Sequence, residues 1–232
     1  MESLYLWMAF DTVLTDPAKL IAVLNEIQSY GVKLDRIDDV EPVRRLYTEA
    51  VVTELLTIPP VTHELPCHDL IGRGPRTTVG IRACMPTAQS QGSANLVDVA
   101  IDRPGLRDIN ILSSFFQSDF FARHNIAYAF LDTWPEFMKQ YVSGTINQRL
   151  PGIFWLNWFS GRYVEAFGAG LVEGLPWSKT SEAEGGLACW LYASLTDAPD
   201  DRAELAARIK TGLGHAAFVK DGWENLPQLA LS

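Results

Sequence analysis

The stretch from Gly152 to Gly168, which reads GIFWLNWFSGRYVEAFG, decides the fold of this chain. Read with the two-residue period of a β-strand, residues 153–159 alternate between two faces, and Asn157 is the one polar side chain among them. A strand that is apolar on both sides is typical of the interior of a covered sheet. Ser160 then occupies the position of a helix N-cap, and Gly168 that of a helix stop. The stretch therefore predicts a central strand followed by a short helix.

The two tryptophans of this strand admit two interpretations. Trp155 and Trp158 could each fill the core, or they could serve as exposed anchors for a partner. Because alternation puts them on opposite faces, a single exposed patch would hold one of them at most. The pattern favours the core.

Outward from this unit, both ends of the chain predict a strand followed by a helix. The first pair is a strand at 4–10 and a helix that begins with Asp16 as N-cap and Pro17 in the first turn and ends at Gly31. The last pair is a strand at 187–193 and a helix at 202–213. The two pairs share Leu-Thr-Asp at 14–16 and 195–197, which suggests a loose internal strand-helix repeat.

The middle of the chain predicts further strands and helices. The expected order is a helix around 51–55, a loop at 72–76, a strand at 77–84, a polar connection at 89–95, a strand at 96–101, a helix at 108–124, a strand at 126–131 and a helix at 133–142. Strands and helices are partly segregated, so we expect an α+β fold with a mixed, largely antiparallel sheet whose central aromatic strand is covered by helices. We expect residues 1–232 to form a single domain, with a two-lobed division near 104–106 as the alternative.

Composition narrows the class of partner. The chain has 232 residues, of which 47% are hydrophobic and 20% charged, and its formal net charge is −9. That charge argues against a nucleic-acid-binding protein, which needs a basic face for phosphates. The first residues have no basic region of the signal-peptide kind, and no apolar run approaches the roughly 18 residues that span a bilayer. We expect no membrane insertion and a cytoplasmic protein.

The cysteines also indicate a cytoplasmic protein. Cys67, Cys84 and Cys189 are widely spaced and odd in number. Such spacing makes a poor disulfide framework and is typical of a reducing compartment.

Motifs for catalysis are absent from the sequence. It has no nucleophile elbow, and Gly72-Arg73-Gly74 matches neither a phosphate loop nor a dinucleotide fingerprint. His63, Cys67 and His68 are the grouping that most resembles a zinc site, but Pro66 prevents a regular helix that would present all three together. We therefore expect no catalytic residue, no bound metal and no cofactor, and keep a small metal-dependent hydrolase as an alternative.

Acidic residues form two groups in the sequence. The first lies at 35–41; the second consists of Asp197, Asp200, Asp201 and Glu204. Since the second group stands at the start of a helix, its charges could simply stabilise the helix dipole. Alternatively, the four carboxylates form an acidic docking face for a basic protein partner, which would accelerate association.

Three stretches together resemble immunity protein family 52 of bacterial polymorphic-toxin and type VI secretion systems. They are residues 151–168, residues 185–214 and, more weakly, the hairpin at 78–101. Within them, the features similar to the family's packing motifs are Trp155, Asn157, Trp158, Tyr163 and Gly168.

The resemblance implies a protein that binds and neutralises a cognate toxin, commonly of the nuclease type, with no chemistry of its own. A structural or adaptor protein of a secretion system is the alternative interpretation. The sequence leaves self-association open.

Overall fold

The computed structural model describes residues 2–59, 67–85, 95–140 and 150–218. These residues form nine β-strands and eight α-helices, joined in places by 3-10 turns. The strands are β1 (Leu4–Phe10), β2 (Arg36–Asp38), β3 (Cys67–Gly74), β4 (Thr77–Cys84), β5 (Asn95–Ile101), β6 (Ile126–Thr133), β7 (Leu156–Ser160), β8 (Lys179–Ala183) and β9 (Gly186–Trp190). The helices are α1 (Pro17–Ser29), α2 (Glu49–Thr57), α3 (Leu106–Ser114), α4 (Phe120–Arg123), α5 (Trp134–Gln140), α6 (Gly161–Phe167), α7 (Ala169–Glu173) and α8 (Arg202–Leu213).

All nine strands belong to one sheet in the order β2-β3-β4-β5-β1-β6-β7-β9-β8. Every pairing between these strands is antiparallel. Strand β1 lies in the middle of the sheet. It pairs with β5, which precedes residues 104–106 in the chain, and with β6, which follows them, so strands from both sides of 104–106 belong to one sheet. The α+β fold is confirmed, and the sheet is antiparallel throughout the described strands rather than mixed.

The aromatic stretch is covered on both faces, as predicted. On one face of β7, Trp158 packs on Phe121 of α4, with ring centroids 5.1 Å apart. On the other face, Phe159 meets Phe167 of α6 at 6.3 Å. The strand is shorter than predicted and begins at Leu156, two strands away from the middle of the sheet.

The strand is short because side chains form hydrogen bonds with the backbone N–H and carbonyl groups of the residues just before it. Gln140 bonds both the N–H and the carbonyl of Ile153, and Asp132 accepts the N–H of Trp155. These groups are buried and satisfied without a sheet ladder.

The predicted end pairs are also present, with two differences. The strand predicted at 187–193 is β9, which ends at Trp190. Asp16 accepts a hydrogen bond from the Ala18 N–H at the start of α1, and Gly31 follows the helix with φ of 105°. Helix α8 begins at Arg202 and ends at Leu213 as predicted. Asp197, however, lies in a 3-10 turn and Asp201 is the residue before the helix, so the two Leu-Thr-Asp units are not capped alike.

Two predictions in the middle of the chain are wrong. Residues 72–74 belong to β3 and pair with residues 77–79 of β4, so the turn is confined to 75–76. Glycine stands at 74 because a Cβ there would come within 2.0 Å of the Lys33 carbonyl oxygen. The single helix at 108–124 is broken after Ser114, since the Ser118 hydroxyl bonds the Phe115 carbonyl and accepts from the Phe120 N–H. Most of the connection at 89–95 and the end of the helix at 133–142 lie outside the described residues.

The interpretation of the cysteines is also wrong. A disulfide joins Cys67 and Cys84, which face each other directly in the β3–β4 pair. The register of that hairpin brings them together, and register cannot be obtained from spacing along the chain. Cys189 is free and buried. No helix among the described residues is long and apolar enough to cross a membrane.

Candidate functional site

The signature residues of the aromatic unit are structural. Trp155 and Trp158 are 4% and 1% exposed, and their indole N–H groups donate to the carbonyls of Tyr192 and Ile126. Tyr163 is fully buried, and Gly168 has φ of 90°, a left-handed conformation that suits glycine. The core interpretation of both tryptophans is confirmed.

Asn157 closes a compact network inside this core. Its side-chain carbonyl accepts from the Phe154 N–H at 3.0 Å and from the Tyr128 hydroxyl at 3.2 Å, and its amide donates to the Phe154 carbonyl at 2.8 Å. Tyr128 also reaches the Gly152 carbonyl at 3.0 Å. The polar position within the aromatic stretch therefore fixes the entry into β7.

The residues of the metal alternative are not arranged as ligands. Cys67 is held in the disulfide, and His68, its neighbour in β3, points to the opposite face of the sheet and is buried. Burial lowers the pKa of His68. His63 lies outside the described residues, within which no group of three or more His, Cys, Asp or Glu side chains could hold a metal ion.

The predicted acidic docking group lies at the end of the sheet where β6 finishes, which we call the α8 end. Asp197, Asp200, Asp201 and Glu204 are all exposed there, and in the described part of the chain their carboxylates make no hydrogen bond or ion pair. Asp201 does not cap α8 through its side chain.

The polar groups beneath that surface are all paired. Glu136 bonds Arg202 at 2.8 Å and Lys139 at 2.6 Å. Asp132 is 3% exposed, and its two oxygens accept from the backbone N–H groups of Thr133 and Trp155. Burial raises the pKa of Asp132 to about 6, against the effect of these bonds.

The opposite end of the sheet holds a cavity that sequence reasoning missed. We call it the cavity end; it lies about 23 Å from the α8 end, the length of β6 at a strand's rise per residue. The cavity measures about 500 Å³, and its lining includes Asp11, Asn125, Ser160, Arg162, Glu165 and Gly185. Asp11 and Asn125 follow and precede the paired ends of β1 and β6, and the Asp11 N–H donates to the Asn125 carbonyl at 2.7 Å.

Beside the cavity, three buried polar atoms have no partner among the described residues. They are Asp11 Oδ1, Ser160 Oγ and the Tyr163 hydroxyl. Asp11 forms an ion pair with Arg162 through its other oxygen alone. Burial nevertheless raises the pKa of Asp11, so one guanidinium compensates the carboxylate incompletely.

Acidic side chains surround this end of the sheet. A neighbouring cavity of about 180 Å³ is lined in part by Gly161, Glu173 and Glu182, and Gly161 also lines the larger one. Glu165, Glu173, Glu182 and Glu184 are exposed, and no ion pair or hydrogen bond engages their carboxylates within the described residues. The sequence did carry a signal, because between Arg162 and Arg202 it has seven acidic residues against Lys179 alone.

These features define an α+β protein with a nine-stranded antiparallel sheet in its described residues and an acidic surface at both ends of that sheet. No protein-family model and no curated protein matches the sequence. Membership of immunity protein family 52 accordingly stays a prediction.

A solved structure has a similar fold. It is the Pseudomonas aeruginosa T6SS (type VI secretion system) protein PA0821, with a TM-score of 0.58 at 13% sequence identity. The match covers 97% of this chain and 77% of that one. At this identity the similarity shows a shared fold.

Proposed function

We propose that this chain is an immunity protein of a type VI secretion system, which binds a cognate toxin and blocks it without chemistry of its own. The observation that carries the proposal is the pair of acidic surfaces at the two ends of the sheet. Each holds four exposed carboxylates that make no ion pair or hydrogen bond in the described residues. The motif resemblance and the similarity in fold to a T6SS protein support the same class.

The negative charge of this chain also favours one kind of toxin over others. An enzyme that cleaves nucleic acid carries a basic surface for phosphates, and an acidic inhibitor can occlude that surface. Complementary charge also accelerates encounter, which matters when a toxin must be caught before it acts. A nuclease-type toxin is therefore part of the proposal.

The proposal is tested with the product of the adjacent gene, expressed with and without this chain. We expect growth arrest from the toxin alone, rescue on co-expression, and a one-to-one complex on purification. A toxin that arrests growth equally in the presence of this chain, and forms no complex with it, would reject the proposal.

An adaptor of the secretion apparatus is the second candidate, because the name of the structural neighbour specifies the secretion system and no role within it. An adaptor would bind a component of the apparatus and leave toxicity unchanged. The same co-expression experiment therefore separates the two functions.

The kind of toxin determines the cellular compartment in which the immunity protein acts. Immunity to a nuclease acts in the cytoplasm, where the Cys67–Cys84 pair would meet reducing conditions, whereas disulfides persist in oxidising compartments. Alkylation of the protein from lysed cells, read by mass spectrometry, decides this. Three modified cysteines support the cytoplasm, and one modified cysteine, Cys189, places the protein outside it.

A further inference from the structure

We propose that the cavity beside Asp11 is a socket for a basic side chain, an arginine or lysine presented by the bound protein partner. This inference rests on the proposed function and adds the anchoring contact to it. Three buried polar atoms, Asp11 Oδ1, Ser160 Oγ and the Tyr163 hydroxyl, have no partner there among the described residues. Burying such groups without a hydrogen bond is unfavourable, so their presence in one region requires an explanation.

Two of the three atoms belong to residues that line the same cavity, Asp11 and Ser160. Arg162 and Tyr163 follow Ser160 in the first turn of α6, and Arg162 also lines the cavity. Asp11 and Arg162 are 151 positions apart in the chain, so the fold assembles the site.

The chemistry of the lining selects the ligand. Asp11 Oδ1 is a carboxylate oxygen, which can only accept, and Ser160 Oγ, on the second of these lining residues, can accept as well. Glu165 adds a second carboxylate, which has no partner within the described residues, so the described lining holds two carboxylates and one guanidinium, that of Arg162. An anion would be repelled, and an apolar group would leave the acceptors unpaired. A guanidinium or ammonium supplies several donors and the missing positive charge.

The size and the surroundings fit a partner's side chain. The cavity of about 500 Å³ is large enough to admit one. The exposed carboxylates of Glu173, Glu182 and Glu184 continue the negative surface beyond the mouth. A protein that presents one basic side chain amid a basic surface would match both the cavity and its rim.

The experiment uses N-acetyl-arginine methylamide as the probe and its citrulline analogue as the neutral control of nearly equal shape. Each is titrated into the isotope-labelled protein, and the amide signals of Asn125, Gly161 and Gly185 are followed by NMR. We expect saturable shifts with the arginine derivative, and none with citrulline. Shifts that are equal for both probes, or that fail to saturate, would overturn the proposal; so would silence of these amides, which would leave ordered water as the occupant.

Two variants give opposite predictions. Asp11→Asn removes the negative charge that accepts the probe and should lower the affinity for the arginine probe by about tenfold. Arg162→Gln removes the protein's own guanidinium, which competes for Asp11, and should raise that affinity several-fold. Asp35→Asn, an exposed acid beside β2 at the far edge of the sheet, is the matched control and should leave affinity unchanged. A merely structural Asp11–Arg162 pair would make both variants weaken the probe or leave it unaffected, which contradicts the socket. Should Asp11→Asn fail to fold, Arg162→Gln still decides the question.

The outcome is separable from that of the proposed function. Because the probe titration needs no toxin, the socket can stand in a protein that gives no immunity. Conversely, rescue from toxicity with no binding of the probe would retain the function and remove the socket.

Discussion

The two ends of the sheet differ in how their buried polar groups are satisfied. At the α8 end, Asp132 accepts two backbone N–H groups and Glu136 pairs with two cations. At the cavity end, Asp11 uses one oxygen only, and Ser160 Oγ and the Tyr163 hydroxyl have no partner among the described residues. The two ends carry similar exposed acids but different interiors.

The difference separates architecture from recognition. A buried polar group whose bonds are complete stabilises one conformation, and its removal leaves donors or acceptors stranded. A buried polar group whose bonds are incomplete contributes little to the fold and can gain from a ligand. We therefore expect substitutions at the α8 end and in the Asn157 network to act on stability, and substitutions at the cavity end to act on binding.

The largest effect is expected at Asn157, whose network fixes the segment entering β7 from the α8 end. Asn157→Leu would strand the N–H and carbonyl of Phe154 and leave the Tyr128 hydroxyl with Gly152 alone. We expect a loss of roughly 3–5 kcal/mol in the free energy of unfolding, measured by urea denaturation. Asn110→Leu on the exposed face of α3 is the control and should change stability by less than about 0.5 kcal/mol. Equal effects of the two substitutions would contradict a structural role for the network.

The next largest effect is the pH dependence of stability that arises from Asp132. Its folded-state pKa of about 6 lies above the ordinary value of 3.8, so between these values the folded protein holds a proton that the unfolded chain releases. Stability from this group is therefore greatest at low pH and falls as pH rises through 6. At about 1.4 kcal/mol per unit, the loss reaches about 3 kcal/mol by pH 7.

The variant Asp132→Asn isolates the contribution of this carboxyl group to the pH dependence of stability. Its stability should lack the decline between pH 4 and pH 7, whatever its absolute value, since an asparagine keeps one accepting oxygen and does not titrate in this range. The carboxyl carbon of Asp132, followed by NMR, should itself titrate near 6. A carboxyl that titrates near 4 would mean that its two backbone bonds outweigh its burial.

Local physical chemistry allowed part of this structure to be predicted from sequence. The Asp16-Pro17 start of α1 and the two-sided burial of residues 153–159 depend on neighbours within a few positions. Strand β8 was missed because a polar, exposed edge strand shows no apolar alternation.

The disulfide and the cavity were missed for another reason. Cys67 meets Cys84 only through the hairpin register, and Asp11 meets Arg162 only once β1, β6 and β7 lie side by side. The acidic group of Asp197 to Glu204 was visible because its members are adjacent in sequence. The acids at the cavity end come from three separate elements and a turn.

A pair of tyrosines tests the contrast directly. Tyr128 and Tyr163 are both fully buried, with ring centroids 6.4 Å apart. Within the described chain the Tyr128 hydroxyl bonds the Gly152 carbonyl and Asn157, whereas the Tyr163 hydroxyl has no partner. Tyr128→Phe should cost about 1–2 kcal/mol of unfolding free energy, whereas Tyr163→Phe should be neutral or stabilising by up to about 1 kcal/mol. Thermal and urea unfolding of the two variants provide the measurement. A similar cost for both would show that the Tyr163 hydroxyl is satisfied, and the contrast between complete and incomplete hydrogen bonding would then fail for this pair.

The smallest effect is expected from the exposed acids of the α8 end. If they steer a basic toxin, Asp200→Lys combined with Asp201→Lys should slow association about threefold at low ionic strength and leave dissociation unchanged, because exposed charges act mainly on encounter. Added salt should remove the difference, since the Debye length falls to about 3 Å at 1 M. The matched control is Asp35→Lys with Asp39→Lys, which changes net charge equally near β2, at the far edge of the sheet. Equal slowing by both pairs would indicate a dependence on net charge alone, and unchanged association for the first pair would leave the cavity end as the remaining acidic surface for the toxin.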